Sequence, residues 1–580
     1  MDLIPAPETW DHEVDLLVIG SGAAAMAAGV RAHDLGSRVL LVDKAPVYGG
    51  STAMSGGVCW VGNNPHMSLP DSDDETLTYL RHIVGDEVSD ERLAAYVTES
   101  RRMLAYLEEH THVRYEALDT YTDYYPEAPG GKMGGRSMEP SPFDGARLGE
   151  HFQRMQRPAR SAMVLGILMI KAAMAKDFVR MGPTAMLMLA WCFLRYALRW
   201  PKRRRYGRDT YLTNGNALAG RLRLSLLDRD VPLWLRSPAL GLIVEDGRVV
   251  GARVRRDGEP VSIRAHQGLV LATGGFDRNL QLRQAHGPSP ASVEWTAGSE
   301  HNTGDGQLMG AAAGGALELM DEAWWTPTTQ YPGAKTGWVL VVEKSLPGGI
   351  FVNGHGERFT NEAGPYVDVA KAMYEDHAKT GCTVPGWMVF DATYRRRYIA
   401  GPVGPGKAMP DRSLPRKLRK EFLFKGATLP DLADRIGVPA DRLAATVDRF
   451  NDFARRGVDE DHHRGESASD QYYGDDRAGA NPCLAPLEKG PFYAIRVFPG
   501  DLGTKGGLKT DDKARVLDAD GQVVPGLYAA GNASASVMGR TYPGAGGTIG
   551  PALCFGFIAA ETAAKDTGAG QQTRAHEATG

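Results

Sequence analysis

Near the end of the chain, Gly539-Arg540-Thr541-Tyr542-Pro543-Gly544-Ala545-Gly546-Gly547-Thr548-Ile549-Gly550-Pro551 gathers residue types that could handle a reacting oxygen. The stretch opens a helix, and a helix start offers free N–H groups that stabilise negative charge. Tyr542 adds a neutral O–H donor in the same loop. Arg540 is the only charged side chain from Tyr528 to Ala560. A dicarboxylate substrate calls for several Arg and His side chains, whereas an apolar ketone calls for one hydroxyl and one N–H. The loop suits the second.

A different chemistry belongs to Asp15–Gly57. The apolar run Leu16–Ile19 leads into Gly20-Ser21-Gly22-Ala23-Ala24-Ala25, about a dozen helix formers, a second apolar run Val39–Val42, and Asp43. This order predicts a strand–turn–helix–strand unit that binds a dinucleotide. Gly20 allows the tight turn, Gly22 lets the backbone approach a pyrophosphate at the helix start, and Ala25 fills the third small position. Asp43 is placed to accept ribose hydroxyls. The following Gly49–Gly57 is unusually rich in glycine and hydroxyls.

That loop resembles the segment that carries the flavin end of FAD in the fumarate reductase/succinate dehydrogenase flavoprotein superfamily. Members with covalently attached flavin place a His there; none lies between Asp43 and Asn64, so non-covalent FAD is expected. The resemblance extends to Ser237-Pro238-Ala239, Ala272-Thr273-Gly274-Gly275, Asn302–Gly306 and the Ala529-Ala530-Gly531-Asn532 turn. It implies FAD contacts from Gly20, Ser21, Gly22, Ala23, Ala24, Asp43, Lys44, Gly50, Ser51, Thr52, Ser55, Gly56, Gly57, Ala239, Ala272, Thr273, Gly274, Asp305, Gly531, Asn532, Gly547, Thr548 and Ile549.

The elements that must position these groups follow from the rest of the chain. Its 580 residues imply at least two domains, and a formal charge of -4 gives no sign of a nucleic-acid partner. Five scattered cysteines without a CxxC pair read as reduced thiols, not a disulfide framework or metal site. The acidic start MDLIPAPETWDHEVD lacks the pattern of a secretory signal, so an intracellular, cytoplasmic protein is expected. The fold class expected is α/β: a Rossmann-like FAD-binding domain over 1–322 and 501–580, with an α+β catalytic cap domain inserted at 323–500. The cap is an insertion because the strand-and-glycine pattern of the FAD domain returns at Val524–Asn532.

Within this frame Asp86–His110 reads as a surface helix with Leu93, Tyr96, Val97, Leu104 and Leu107 on one face. Leu240–Gly275 reads as short strands with a tight turn at Glu245–Arg248, and Gly337–Val342 and Gly349–Val352 as strands of the cap. Leu429–Ile436 and Asp441–Arg456 read as helices. Tyr121–Gly131 is a loop whose three tyrosines, taken alone, suit the covering of a core edge. His462-His463 fits a charged surface turn.

Ser161–Tyr206 differs in composition from everything around it. Apolar helices ending in Lys202-Arg203-Arg204-Arg205 fit a monotopic element in the membrane interface, or a helical insertion packed on protein. Its longest uncharged run, Met181–Leu194, falls short of the ~20 residues a span requires. Pro183 and the charges Lys171, Lys176, Asp177 and Arg180 also argue against a span.

Tyr124 in DYYPE, Tyr366 in NEAGPY, and Tyr542 with Gly546 in YPGAGG resemble the active-site set of the 3-ketosteroid Δ1-dehydrogenases. GRSMEPSPFD, TKGGLKTD and AAGNASASVMGRTYPG are similar to that family over nearly the whole chain, departing mainly at Ser161–Tyr206. The resemblance implies that Tyr542 and the Gly546 N–H hold the C3 oxygen, and that Tyr366 takes the C2 proton with Tyr124 stabilising its anion. Flavin N5 would take the C1 hydride and pass electrons to a quinone-like acceptor. The alternatives are a Δ4-(5α)-dehydrogenase, a fumarate-reductase-type enzyme, and a membrane-associated electron-transfer flavoprotein that binds no steroid. The oligomeric state stays open.

Overall fold

The structure, a computed structural model, describes residues 3–164, 166–174 and 183–577, without the side chains of 183–185 and 567–577. Lys176, Asp177 and Arg180 of the expected insertion lie outside the described residues.

The dinucleotide unit forms as its pattern requires. Strand His12–Ile19 runs into helix Ala23–Asp34 and then strand Val39–Val42. The two strands pair in parallel, Leu16 with Val39 and Ile19 with Val42. Leu16, Leu17 and Val18 are fully buried, as befits a strand covered on both faces. Each such side chain contributes about 1.5–3 kcal/mol of burial. On the other side His12–Ile19 pairs in parallel with Glu259–Leu271, which pairs in parallel with Val523–Ala529. A strand more than two hundred positions downstream thus completes the nucleotide-binding sheet. Ala239–Glu245 and Arg248–Arg256 extend it as an antiparallel wing. The alanine-rich helix Ala23–Asp34, with Ala23–Ala28 all buried, packs in one core with Leu553–Ala563 of the C-terminal helix Ile549–Glu577.

The chain between strands Glu259–Leu271 and Val523–Ala529 forms a second, antiparallel sheet. Its order is Trp338–Val339, Ala323–Thr329, Phe492–Thr504, Gly386–Phe390 and Gly349–Val352, with Phe424–Gly426 also paired to Phe492–Thr504. Phe492–Thr504 runs unbroken through residue 500. Helix Tyr366–Thr380 packs against this sheet, and helices Leu429–Ile436 and Ala440–Arg456 bury Leu432, Leu443, Val447 and Phe450 against its Ile350, Val352 and Val389.

Three expectations change. The surface helix begins at Asp90, not Asp86, because the Ser89 side chain accepts from the Arg92 N–H and caps it there. Only Trp338–Val339 of the expected strand Gly337–Val342 is extended; Val341–Ser345 turns away from the sheet. The described start of the apolar insertion holds only short 3-10 turns, Arg160–Ala162 and Ala172–Met174, in place of a long helix. Met163–Val164 and Leu168–Met169 pair as a small antiparallel hairpin, and helix follows at Pro183–Leu198 and Trp200–Tyr206. No described helix is long and apolar enough to cross a membrane.

Candidate active site

The carboxyl ends of the parallel strands and the inner face of the cap enclose one cavity of about 460 Å³. Gly20, Ser21, Gly22, Ala23, Ala24, Asp43, Lys44, Gly50, Ser51, Thr52, Ser55, Gly56, Gly57, Ala239, Ala272, Thr273, Gly274, Asp305, Gly531, Asn532, Thr548 and Ile549 line it. So do Tyr124, Tyr366, Tyr542 and Gly546. Of the expected site residues Gly547 alone stands behind the lining. Its N–H is turned to the Gly544 carbonyl at 3.1 Å, and Pro543 and the Tyr542 ring fill the space beside it.

The nucleotide end is built from short, mutually held polar groups. Gly20 has φ +126°, and a Cβ there would lie 2.1 Å from the Ala272 carbonyl oxygen, so only glycine makes this turn. Gly22 caps the helix with no side-chain bond, leaving the helix start open toward the cavity. The Ser21 hydroxyl donates to the Asp43 carboxylate, and the Ala45 N–H donates to the same carboxylate at 2.8 Å. Lys44 is paired with Asp305 at 2.7 Å. Thr52 accepts from the Ala23 N–H at 3.0 Å. Ser51 accepts from the Ser299 N–H and the Asn302 amide at 3.0 and 2.9 Å. Among the described residues buried Thr273 Oγ1 and Gln307 Oε1 have no hydrogen-bond partner. A carboxylate for the ribose, an open helix start for the pyrophosphate and unmatched polar atoms beyond it fit FAD.

At the other end three phenols meet edge to edge. The ring centroids of Tyr124 and Tyr366 are 5.2 Å apart, and Tyr542 lies 5.4 Å from each. Trp324 closes the group at 4.7 Å from Tyr542. Each phenol comes from a different element. Tyr366 is the first residue of helix Tyr366–Thr380. Tyr124 sits in the loop held by Asp123, whose carboxylate accepts from the Trp60 indole at 2.7 Å and Arg136 at 2.9 Å. The Tyr124 N–H donates to the Pro543 carbonyl at 3.0 Å, which joins that loop to the one carrying Tyr542. Lys505 donates to the Gly539 and Thr541 carbonyls and so braces the same loop.

The hydroxyls are unequal. Tyr542 Oη lies 3.1 Å from Thr548 Oγ1. Tyr124 Oη is buried and among the described residues has no well-aimed partner. Burial pushes all three phenols above their ordinary range, Tyr124 and Tyr366 well above it. For Tyr366, after burial, charge on Tyr542 or Tyr121 raises it further, while contact with the Tyr124 hydroxyl opposes the shift. For Tyr542, Thr548 and Tyr366 oppose the effect of burial. Gly546 lies three residues ahead of the last helix with φ +99°; a Cβ there would lie 2.5 Å from Trp60 N. Its carbonyl accepts from Trp60 and Gly550, and among the described residues its buried N–H meets no acceptor. The arrangement presents an uncharged O–H and N–H beside a phenol that could move a proton.

No arginine lines the cavity among the described residues, and Lys44, tied to Asp305, is at the nucleotide end. Arg540 points outward to Glu87, Asp321 and Glu322. Among the described residues a dicarboxylate would find no free arginine or lysine here, and His301 is the one histidine of the lining.

Comparison with known proteins agrees with this geometry. A family described as the FAD binding domain matches residues 15–549. A 3-oxosteroid 1-dehydrogenase of Mycolicibacterium smegmatis is 43% identical over 566 residues, 95% of this chain and 97% of that one. The chain belongs to the 3-oxosteroid 1-dehydrogenase family. A solved member, the 3-ketosteroid delta1-dehydrogenase from Sterolibacterium denitrificans in complex with 1,4-androstadiene-3,17-dione, superposes with a TM-score of 0.93 at 43% identity. The match covers 96% of this chain and all of that one. A 4-oxocyclohexanecarboxylate 2-dehydrogenase of Sinomonas cyclohexanicum is 36% identical over 568 residues, 95% of this chain and 92% of that one. As in the rest of the family, FAD is the cofactor.

Sequence reasoning missed several cavity residues. Tyr473, Trp338 and Glu343 line the cavity from the cap yet belong to no motif. The paired tyrosines Tyr472-Tyr473 were the one signal for the first of these, since Tyr121 packs against both.

Proposed function

We propose that this protein is an FAD-dependent 3-ketosteroid 1,2-desaturase that converts a 3-oxo-Δ4-steroid to the 3-oxo-Δ1,4-diene. The observation that carries the reading is the convergence of Tyr124, Tyr366, Tyr542 and the Gly546 N–H at one end of a cavity that no arginine lines among the described residues.

The Tyr542 O–H and Gly546 N–H donate to the C3 carbonyl oxygen. Charge that develops there as the C2 hydrogen leaves is stabilised by dipoles already in place. Tyr366 removes the C2 proton. A phenol raised by burial is a weak base at rest, and the Tyr124 hydroxyl offsets part of that by donating to the anion as it forms. The bound flavin supplies the acceptor for the C1 hydride. Loss of proton from C2 and hydride from C1 leaves the new double bond. The lining Leu502, Val339 and Val342 exclude water and suit an apolar ring system.

The electrons pass on to a quinone-like acceptor, and the chain contacts a membrane surface through 161–206. Supporting the second point, Leu187, Trp191 and Leu198 are 73%, 59% and 70% exposed on helix Pro183–Leu198, followed at once by Lys202–Arg205.

Anaerobic addition of androst-4-ene-3,17-dione to the purified holoenzyme tests the activity. Bleaching of the flavin with growth of a dienone absorbance is expected. Unchanged flavin with steroid, together with reoxidation of the reduced protein by fumarate, would favour a dicarboxylate enzyme instead. Bleaching by 4-oxocyclohexanecarboxylate alone would place the substrate in the smaller class.

A further inference from the structure

Behind the wall that carries Asn532 and Thr548 lies a buried cation that the proton and hydride steps do not use. Arg92, in helix Asp90–His110, is 5% exposed. Its Nη2 donates to the Ala535 carbonyl at 2.5 Å, and the guanidinium lies 5.3 Å from the Phe555 ring centroid. Among the described residues its Nε has no hydrogen-bond partner and no carboxylate pairs with the group. The acids whose charge reaches it are Glu318 and Asp511. Each already has a cation of its own, Lys509 at 2.8 Å and Arg515 at 2.7 Å. Burial lowers the guanidinium to about 10, with those acids opposing, so it stays charged at neutral pH.

A buried charge without a counter-charge is costly. Arg92 lines a small cavity of about 20 Å³, which has room for about one water and is too small for a carboxylate or phosphate. Gly531, Asn532, Thr548 and Ala552 line this space and the FAD cavity alike, so one layer of residues stands between the two. The layer belongs to the reacting end. Thr548 Oγ1 lies 3.1 Å from the Tyr542 hydroxyl, and Trp324, which also lines the small cavity, donates to Asn532 at 3.3 Å. The last helix begins here as well, at Ile549, and its start carries partial charge of the same sign.

We propose that Arg92 supplies a fixed positive charge that offsets the negative charge the flavin gains on reduction, and so sets how readily this protein accepts a hydride. The charge acts through the Asn532–Thr548 layer without touching the substrate. Its field favours the reduced cofactor over the oxidised one, whatever compound delivers the electrons. The inference therefore rests on bound FAD and not on the ketosteroid reading.

Redox titration of the holoenzyme in the absence of steroid tests it. In Arg92→Met the equilibrium constant for flavin reduction should fall about ten-fold, the scale of one charge acting across a single layer of residues, which is a midpoint about 30 mV more negative. Arg92→Lys keeps the charge and should keep the wild-type midpoint. A purely structural role would lower flavin content or thermal stability while the flavin that remains titrates as in the wild type, and that result would overturn the proposal. Equal falls in both variants would trace the effect to packing instead of charge and overturn it too. If Arg92→Met fails to fold, the pH dependence of the wild-type midpoint below neutral pH decides. Uptake of one proton per two electrons is expected of a reduced flavin held as its anion, and uptake of two would overturn the proposal.

Discussion

Lys371 Nζ donates to the carbonyl of Arg540 at 2.8 Å, tying the helix that begins with Tyr366 to the loop that presents Tyr542. The same ammonium pairs with Glu322 at 3.1 Å. The expected proton acceptor and the expected carbonyl donor are thus held at a fixed separation by a side chain that touches neither hydroxyl. Lys371→Met should lower kcat about ten-fold or more with a smaller effect on KM, because misplacement of reacting groups costs rate before it costs binding. Steady-state kinetics on variant with full flavin content checks this, and an unchanged kcat would show that the brace is dispensable.

A second brace lies under Tyr124. Arg136 is fully buried between Asp71 and Asp123, at 2.8 and 2.9 Å. Removing it strands two buried carboxylates, a loss of about 3–5 kcal/mol for a broken buried pair. Arg136→Met should lower the thermal unfolding midpoint by several degrees and disorder the Tyr124 loop. A midpoint equal to that of the wild type would contradict the reading.

The pH dependence follows from the sign of the phenol shifts. Burial holds Tyr366 well above its ordinary value of about 10, so its basic form is scarce at neutral pH and grows with pH. Tyr542 is also raised and stays protonated as a donor over the same range. The rate of flavin reduction by steroid should therefore climb from pH 7 toward about 10, without a plateau. Stopped-flow absorbance across that range measures it, and a flat profile would mean that another group takes the proton.

For the apolar helix, replacing Leu187, Trp191 and Leu198 together by Ser should release the protein from vesicles containing anionic lipid. Each contributes exposed apolar area that only a lipid surface or a partner would cover. Unchanged vesicle binding would leave the helix to a protein contact.

What could be read from the chain beforehand was local and contiguous. The turn Gly20–Ala25, the acid Asp43 and the loop Gly539–Pro551 are each contiguous in the chain, so spacing alone was informative, and all line the one cavity in part. The phenols were legible only through the contexts around Tyr124, Tyr366 and Tyr542, because a tyrosine by itself is as good a core residue as a catalytic one. Lys371 and Lys505 make their contacts across the fold, and nothing in their neighbouring residues marks them. The strand expected at Gly337–Val342 shows the same limit. Its apolar run suits a strand, but Val341–Ser345 turns off the sheet and Val341–Glu343 faces the cavity. The helix start at Asp90 moved for a local reason, the Ser89 cap, which outweighs the run of acidic residues before it.

The central claim is that the Tyr366 phenol takes the C2 proton. Single-turnover reduction of the flavin by androst-4-ene-3,17-dione, followed anaerobically in Tyr366→Phe, tests it most directly. The variant should keep its FAD and bind the steroid, yet reduce the flavin about 10²–10⁴-fold more slowly. Reduction at the wild-type rate would contradict the account.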